Sequence, residues 1–151
     1  MLKFSLFIIS LFSFSVTANQ ITVSDFTVRE FIPGAPSSVA YFQVENTSEQ
    51  TYRLTGAKID HIGRVEIHNH IAENGMMKMV KVSDVEIEPK STVVFQSGGL
   101  HLMLYAPDRK LVKDENLNVT LTFKDGLEVK AKAHVVSLAD AHEQAHHHHH
   151  H

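Results

Sequence analysis

The sequence predicts an all-β domain built as a sandwich or barrel of short strands. Segments of about 5–10 residues alternate apolar with polar side chains, are rich in β-branched residues, and are separated by turn signals. No stretch shows a convincing helical period. The chain contains no cysteine, so its core must hold it together without disulfides, and cysteine-based catalysis is excluded.

The strands can be placed from the alternation and from the turn residues that interrupt it. An alternating first segment is followed by a loop with two prolines at 31–38, and the second strand stops at Asn46-Thr47-Ser48. Further breaks stand at Asn74-Gly75, which is a hairpin signal, at Gly98-Gly99, and at Lys124-Asp125-Gly126. The predicted strands are 21–31, 39–45, 52–59, 64–70, 76–82, 85–87, 92–96, 101–105, 117–123 and 127–136.

Both ends of the chain are predicted to lie outside this domain. Residues 1–18 have the basic start, the short apolar run and the small-residue cleavage site of a secretory signal peptide, so an exported, periplasmic protein without a membrane span after cleavage is expected. Residues 139–145 form a polar tail, and 146–151 are six histidines typical of a purification tag. The domain is therefore assigned to residues 19–138. No basic patch indicates nucleic acid as a partner.

Histidine and methionine side chains share faces on three of the predicted strands. His101 and Met103 are two residues apart and so face the same side, as do His68 and His70. A two-residue turn at Asn74-Gly75 would put His70 opposite Met79, whereas a four-residue loop would put His68 there.

Other methionine and carboxylate side chains lie close to these residues in the sequence. Met77 shares the face of Met79 and, like His70, stays open as a competing ligand, while Met76 on the other face is expected in the core. Glu66, Glu73 and Asp84 could supply an oxygen ligand for Cu(II), although a solvated face is the expectation for these carboxylates.

Two imidazoles and two thioethers form a soft, uncharged donor set that suits Cu(I) better than zinc, magnesium or calcium. Thioethers bind without losing a proton and do not form disulfides in an oxidising compartment. A blue-copper centre is excluded because it needs a cysteine thiolate, which the chain lacks. No nucleophile–base set of the hydrolase kind is recognised, and the protein is not expected to be an enzyme.

At these residues the chain resembles the periplasmic copper chaperones of the PCuAC type. The family signature of His, ten residues, Met, twenty-one residues, His, one residue and Met is matched by His68, Met79, His101 and Met103. The surrounding segments R64-V-E-I-H-N-H70, G75-M-M-K-M79 and G98-G-L-H-L-M-L104 are similar too. One departure is Val80-Lys81-Val82, where many members carry an arginine.

The resemblance implies a cupredoxin-like Greek-key β-sandwich with one Cu(I) bound by these four residues. It also implies delivery of copper to the dinuclear copper centre of cytochrome c oxidase, alongside a Sco-type thiol protein. His142 is the only histidine of the tail before the tag, so a second copper site is not expected. The alternatives are a periplasmic copper storage protein and a metal-free β-sandwich that serves as an interaction module.

Overall fold

A computed structural model describes residues 20–137, all of whose regular elements are β-strands. The predicted signal peptide, the polar tail and the tag lie outside these residues. Between residues 20 and 137 there is no helix of the length and apolar character needed to span a membrane. The strands are β1 Ile21–Arg29, β2 Ser37–Asn46, β3 Tyr52–Ile59, β4 Ile62–Glu73, β5 Met76–Lys81, β6 Val85–Ile87, β7 Ser91–Phe95, β8 His101–Pro107, β9 Asn116–Phe123 and β10 Glu128–Val136.

The strands join in one continuous path that closes over a single core. The order is β5-β4-β8-β2-β1-β10-β9-β3-β6, with β7 also paired to β2 and only the β1–β10 pair parallel. Buried side chains from both halves of this path form one apolar cluster. At its centre the rings of Phe26, Phe42 and Phe95 stack with centroids 4.6 and 4.1 Å apart. The predicted all-β class and the cupredoxin-like sandwich are confirmed.

A buried amide fastens one end of the sandwich. Asn46 is fully buried, and its Nδ2 donates to the carbonyls of Gln50, Ile87 and Glu88 at 2.6, 3.2 and 3.0 Å. Its Oδ1 accepts hydrogen bonds from the backbone N–H and the hydroxyl of Ser48. Because every polar atom of this side chain has a partner, its burial does not cost stability.

A hairpin formed by β4 and β5 projects past the neighbouring strand β8. β8 pairs with β4 only from Ile62 to His68, so the rest of β4 and the paired part of β5 extend beyond the start of β8. The two-residue turn predicted as one of two possibilities is present, with Asn74 and Gly75 both at positive φ. Met76 at its tip is 71% exposed, so the prediction that it lies in the core is wrong. The tip of this hairpin therefore lies outside the apolar core.

Candidate metal centre

The β7–β8 connection delivers His101 to the edge of the core. β7 and β8 pair with successive parts of β2, and a turn with Gly98 at positive φ and a 2.7 Å Gln96–Leu100 hydrogen bond joins them. His101 is the first residue of β8 and is only 3% exposed. The predicted break at Gly98-Gly99 is therefore a turn between β7 and β8, and His101 begins β8 just after it.

His101 and Met79 are in direct contact. His101 Nδ1 lies 2.9 Å from the Gly99 carbonyl, and Nε2 lies 3.2 Å from Met79 Sδ. A carbonyl only accepts hydrogen bonds, so Nδ1 carries the proton and the Nε2 lone pair faces the thioether. A metal ion bound to both, with bonds of about 2.0 and 2.3 Å, would hold these two atoms roughly 3.5 Å apart. The observed separation of 3.2 Å is therefore close to the separation that a shared metal ion would impose.

The electrostatics around His101 favour its neutral form. Burial lowers the pKa of His101 most, the hydrogen bond to the Gly99 carbonyl opposes this as the second-largest effect, and the charges of His70 and His68 lower the pKa further. Neutral imidazole is the form that binds metals. No proton has to be removed from this side chain at neutral pH before a metal can bind.

Met103 belongs to the same face as His101. It lies two residues farther along β8, is 8% exposed, and pairs with Glu66 across the β4–β8 ladder. Leu102 and Leu104 between and after them are fully buried in the core. The predicted alternation of β8 is thus present, and a strand anchored by two core leucines carries two of the predicted ligands.

His68 completes this face from the neighbouring strand. It pairs directly with His101, and the two ring centroids are 6.0 Å apart. Its Nε2 lies 3.0 Å from Glu66 Oε2, while its Nδ1 is buried and has no hydrogen-bond partner among residues 20–137. Two imidazoles that share one metal place their ring centroids about 5–6 Å apart, given metal–nitrogen bonds of about 2.0 Å.

The structure also places the two competing residues. The observed register pairs His70 with Met79, and the His70 ring stacks on His101 with centroids 5.1 Å apart. His70 Nδ1 is likewise buried without a partner in the described chain. Met77 is 64% exposed nearer the hairpin tip, against 45% for Met79. The geometry therefore leaves His70 close to the predicted ligands and sets Met77 apart from them.

Two further side chains adjoin the site: Glu66, which the sequence offered as an oxygen ligand for Cu(II), and Lys81, which it did not single out. Glu66 Oε1 accepts a hydrogen bond from Lys81 Nζ at 2.9 Å, and its side chain is only 16% exposed. The hydrogen bonds from Lys81 and then from His68 lower the pKa of Glu66 to about 2. This side chain is partly buried and paired with Lys81. For Glu66 the available signal was the strand alternation that puts it on the same face as His68. The position of Lys81 could not be predicted because it depends on the register of the β4–β5 hairpin.

The donor set limits which ions the site can hold. Within residues 20–137 no group of three or more His, Asp or Glu side chains is arranged to hold a metal ion. The donors next to His101 are instead thioethers, with Met79 in contact and Met103 on the same face of β8. Such neutral sulfur and nitrogen donors fit Cu(I) and do not fit magnesium or calcium, which prefer oxygen.

Comparisons with known sequences give a family match over most of the described chain. A family model described as "LpqE-like: Putative lipoprotein LpqE-like" matches residues 21–135. An uncharacterized protein, RP573, of Rickettsia prowazekii is 36% identical over 61% of this chain. That alignment spans about half of the relative (51%). A second relative, the "Putative lipoprotein Lxx21020" of Leifsonia xyli, is 28% identical over 73% of this chain and 67% of its own.

Two of the solved structures with the same fold contain copper. The copper-bound PCuAC domain from PmoF2 superposes with a TM-score of 0.66 at 22% identity, covering 79% of this chain and 94% of that domain. DR1885 from Deinococcus radiodurans superposes in its apo form with a TM-score of 0.61 at 26% identity, covering 88% and 89%. Its Cu(I) form gives 0.60 at 25% identity, covering 81% of each chain. The predicted resemblance to the PCuAC type is confirmed.

Proposed function

This chain belongs to the LpqE-like family, and from that premise we propose that it is an exported copper chaperone that carries one Cu(I). The proposed ligands are His68, Met79, His101 and Met103. Copper is the cargo of such a protein, and the proposed role is non-enzymatic. The copper-bound structures of the same fold support a copper-binding role.

The observation that carries the proposal is the contact between His101 Nε2 and Met79 Sδ. These atoms lie 3.2 Å apart, and the nitrogen presents a lone pair because Nδ1 is committed to Gly99. An imidazole lone pair and a thioether sulfur do not attract each other directly, whereas both bind a soft cation. No hydrogen bond joins them, because the thioether has no hydrogen to donate and Nε2 of this neutral tautomer carries none.

A carrier must also release its metal, and the unequal burial of the ligands supports such release. His101 and Met103 are nearly inaccessible, whereas Met79 is 45% exposed on the terminal strand of the sheet. An incoming donor from an acceptor protein can reach copper by displacing this thioether first. The buried pair keeps hold of the ion until a second acceptor ligand is in place.

The proposed acceptor is the dinuclear copper centre of cytochrome c oxidase, with a Sco-type thiol protein as a further partner. This destination rests on the resemblance to PCuAC chaperones, and the proposed compartment is the periplasm, reached through the predicted signal peptide 1–18. Storage of copper uses the same site without a specific acceptor. Transfer of Cu(I) from the loaded chain to the isolated oxidase copper domain, faster than spontaneous dissociation, would favour delivery over storage.

The test of the site is titration of the tag-free protein with Cu(I) against a chromogenic chelator. Removal of the six terminal histidines is required because imidazole clusters bind copper themselves. We expect one-to-one binding in the wild type and its loss in His101→Ala/Met103→Ala. The matched control is His61→Ala/Met76→Ala, which removes the same residue types at exposed positions away from the site.

Two results would contradict the proposal. Undiminished one-to-one binding by the His101→Ala/Met103→Ala protein would show that the ligands lie elsewhere. A wild-type melting temperature that does not rise with Cu(I) would favour the metal-free interaction module, because an ion bound to the native state must stabilise it.

A further inference from the structure

We propose that Glu66, oriented by Lys81, fixes His68 in the tautomer that binds copper through Nδ1. The inference rests on the proposed copper site and assigns a positioning role to two residues that are not themselves ligands. It also assigns which nitrogen of each histidine faces the metal.

The hydrogen bonds of Glu66 determine where the His68 proton lies. Glu66 Oε2 is 3.0 Å from His68 Nε2, and Oε1 accepts a hydrogen bond from Lys81 Nζ at 2.9 Å. An ionised carboxylate only accepts, so Nε2 must be the protonated nitrogen of the imidazole. In the neutral ring the lone pair is then on Nδ1.

The environment of Nδ1 fits a ligand atom. Nδ1 of His68 is buried and finds no hydrogen-bond partner in the described part of the chain. A buried polar atom without a partner costs stability, so it calls for an explanation such as an ion that binds there. The ring lies directly across the ladder from His101, whose own lone pair faces Met79.

The two histidines thus use opposite ring nitrogens. At His101 the Gly99 carbonyl holds the proton on Nδ1 and leaves Nε2 for the metal. At His68 the carboxylate does the reverse. Hydrogen bonding of the distal nitrogen to a carbonyl or a carboxylate is the usual way in which proteins orient imidazole ligands, and loss of such a partner typically weakens metal binding about 10–100-fold.

Lys81 has two effects on this arrangement. It pairs with His68 across the β4–β5 ladder and reaches Glu66, which lies two residues earlier on the same face of β4. Its ammonium occupies the second carboxylate oxygen, which keeps Glu66 oriented toward the imidazole. With both oxygens engaged, Glu66 is placed beside the metal position as a hydrogen-bond acceptor and not as a ligand.

The experiment is long-range ¹H–¹⁵N spectroscopy of the histidine rings in tag-free protein, before and after addition of one equivalent of Cu(I). We expect apo His68 to be protonated at Nε2 and apo His101 at Nδ1. Copper should shift the ¹⁵N resonances of His68 Nδ1 and His101 Nε2.

Variants then separate positioning from simple structural support. Glu66→Ala should populate both His68 tautomers and lower the Cu(I) affinity about 10–100-fold. Glu66→Gln keeps an acceptor carbonyl and should restore the Nε2-protonated tautomer with most of the affinity. The matched control is Glu73→Ala, because Glu73 forms a 3.0 Å ion pair with Lys78 on the same hairpin without touching a histidine.

The possible failures are distinguishable. One-to-one copper binding in which His68 is coordinated through Nε2, or an apo His68 protonated at Nδ1, would overturn the inference and leave the proposed function standing. An oxygen ligand from Glu66 seen by X-ray absorption would overturn it as well. A wild-type protein that binds no Cu(I) would instead refute the proposed function.

Discussion

Replacement of Met103 by leucine separates the role of its sulfur from the role of its bulk. Met103 is 8% exposed beside the core, so truncation to alanine would cost about 2–5 kcal/mol of stability in the metal-free protein. Leucine has nearly the same volume, and such exchanges usually cost less than about 1.5 kcal/mol. The apo protein should therefore remain folded, while the site loses one of its two thioethers.

The expected effect can be expressed as a change in copper-dependent melting temperature. With free Cu(I) buffered at about a thousand times the wild-type Kd, binding stabilises the native state by about 4.1 kcal/mol. A domain of this size gains roughly 4 °C per kcal/mol, which gives a rise of about 16 °C. A hundredfold weaker Met103→Leu site at the same free copper retains about 1.4 kcal/mol, or about 6 °C.

The assay is a thermal melt of tag-free protein in a chelator-buffered series of free Cu(I) concentrations. Met76→Leu is the control, since Met76 is 71% exposed on the opposite face of β5, and it should keep the full rise. A Met103→Leu protein whose copper-dependent rise equals that of the wild type would refute the assignment of Met103 as a ligand.

Three further predictions concern the scaffold. Asn46→Ala should lower the unfolding free energy in urea by about 3 kcal/mol, because buried carbonyls lose their donor. Glu115→Gln should destabilise the protein at pH 7, since Arg109 and the Val112 N–H lower the Glu115 pKa. The stability difference between the two proteins should shrink as the pH falls below 4.5, the ordinary glutamate pKa, and vanish once the pH is below the lowered pKa of Glu115. Thermal melts of both proteins across this pH range measure it. Gly63→Ala should lower the melting temperature, because its Cβ would lie 2.9 Å from the Ala106 carbonyl oxygen, whereas Gly56→Ala meets nothing within 4 Å.

Most strands could be predicted because they bury one face or both, whereas β5 has no buried residue. Tyr52–Ile59 and Val85–Ile87 have the predicted bounds, and other strands differ by a few residues at their ends. The largest difference is β4, which runs from Ile62 to Glu73 and not from 64 to 70. The added residues, 62–63 and 71–73, do not continue the alternation of apolar and polar side chains, and backbone pairing with β5 and β8 maintains the strand there.

The β8 half of the site was accessible from the sequence, whereas the hairpin half was not. Alternation alone places His101 and Met103 on one face, and two core leucines fix that face. The partner of Met79 depended on a turn that could hold two residues or four. Asn74 and Gly75 settle it by both adopting positive φ, which puts His70 opposite Met79 and leaves His68 diagonal to it.

The exposed hairpin and the buried strand divide the work expected of a copper carrier. Residues anchored on β8 cannot move far without disturbing the core, so in the proposed site His101 and Met103 would define the position of the ion. Met79 is 45% exposed on β5, the terminal strand of the sheet, so its thioether can move at little cost in packing. The same projection that left Met76 out of the core therefore gives the proposed site one ligand that an acceptor can displace.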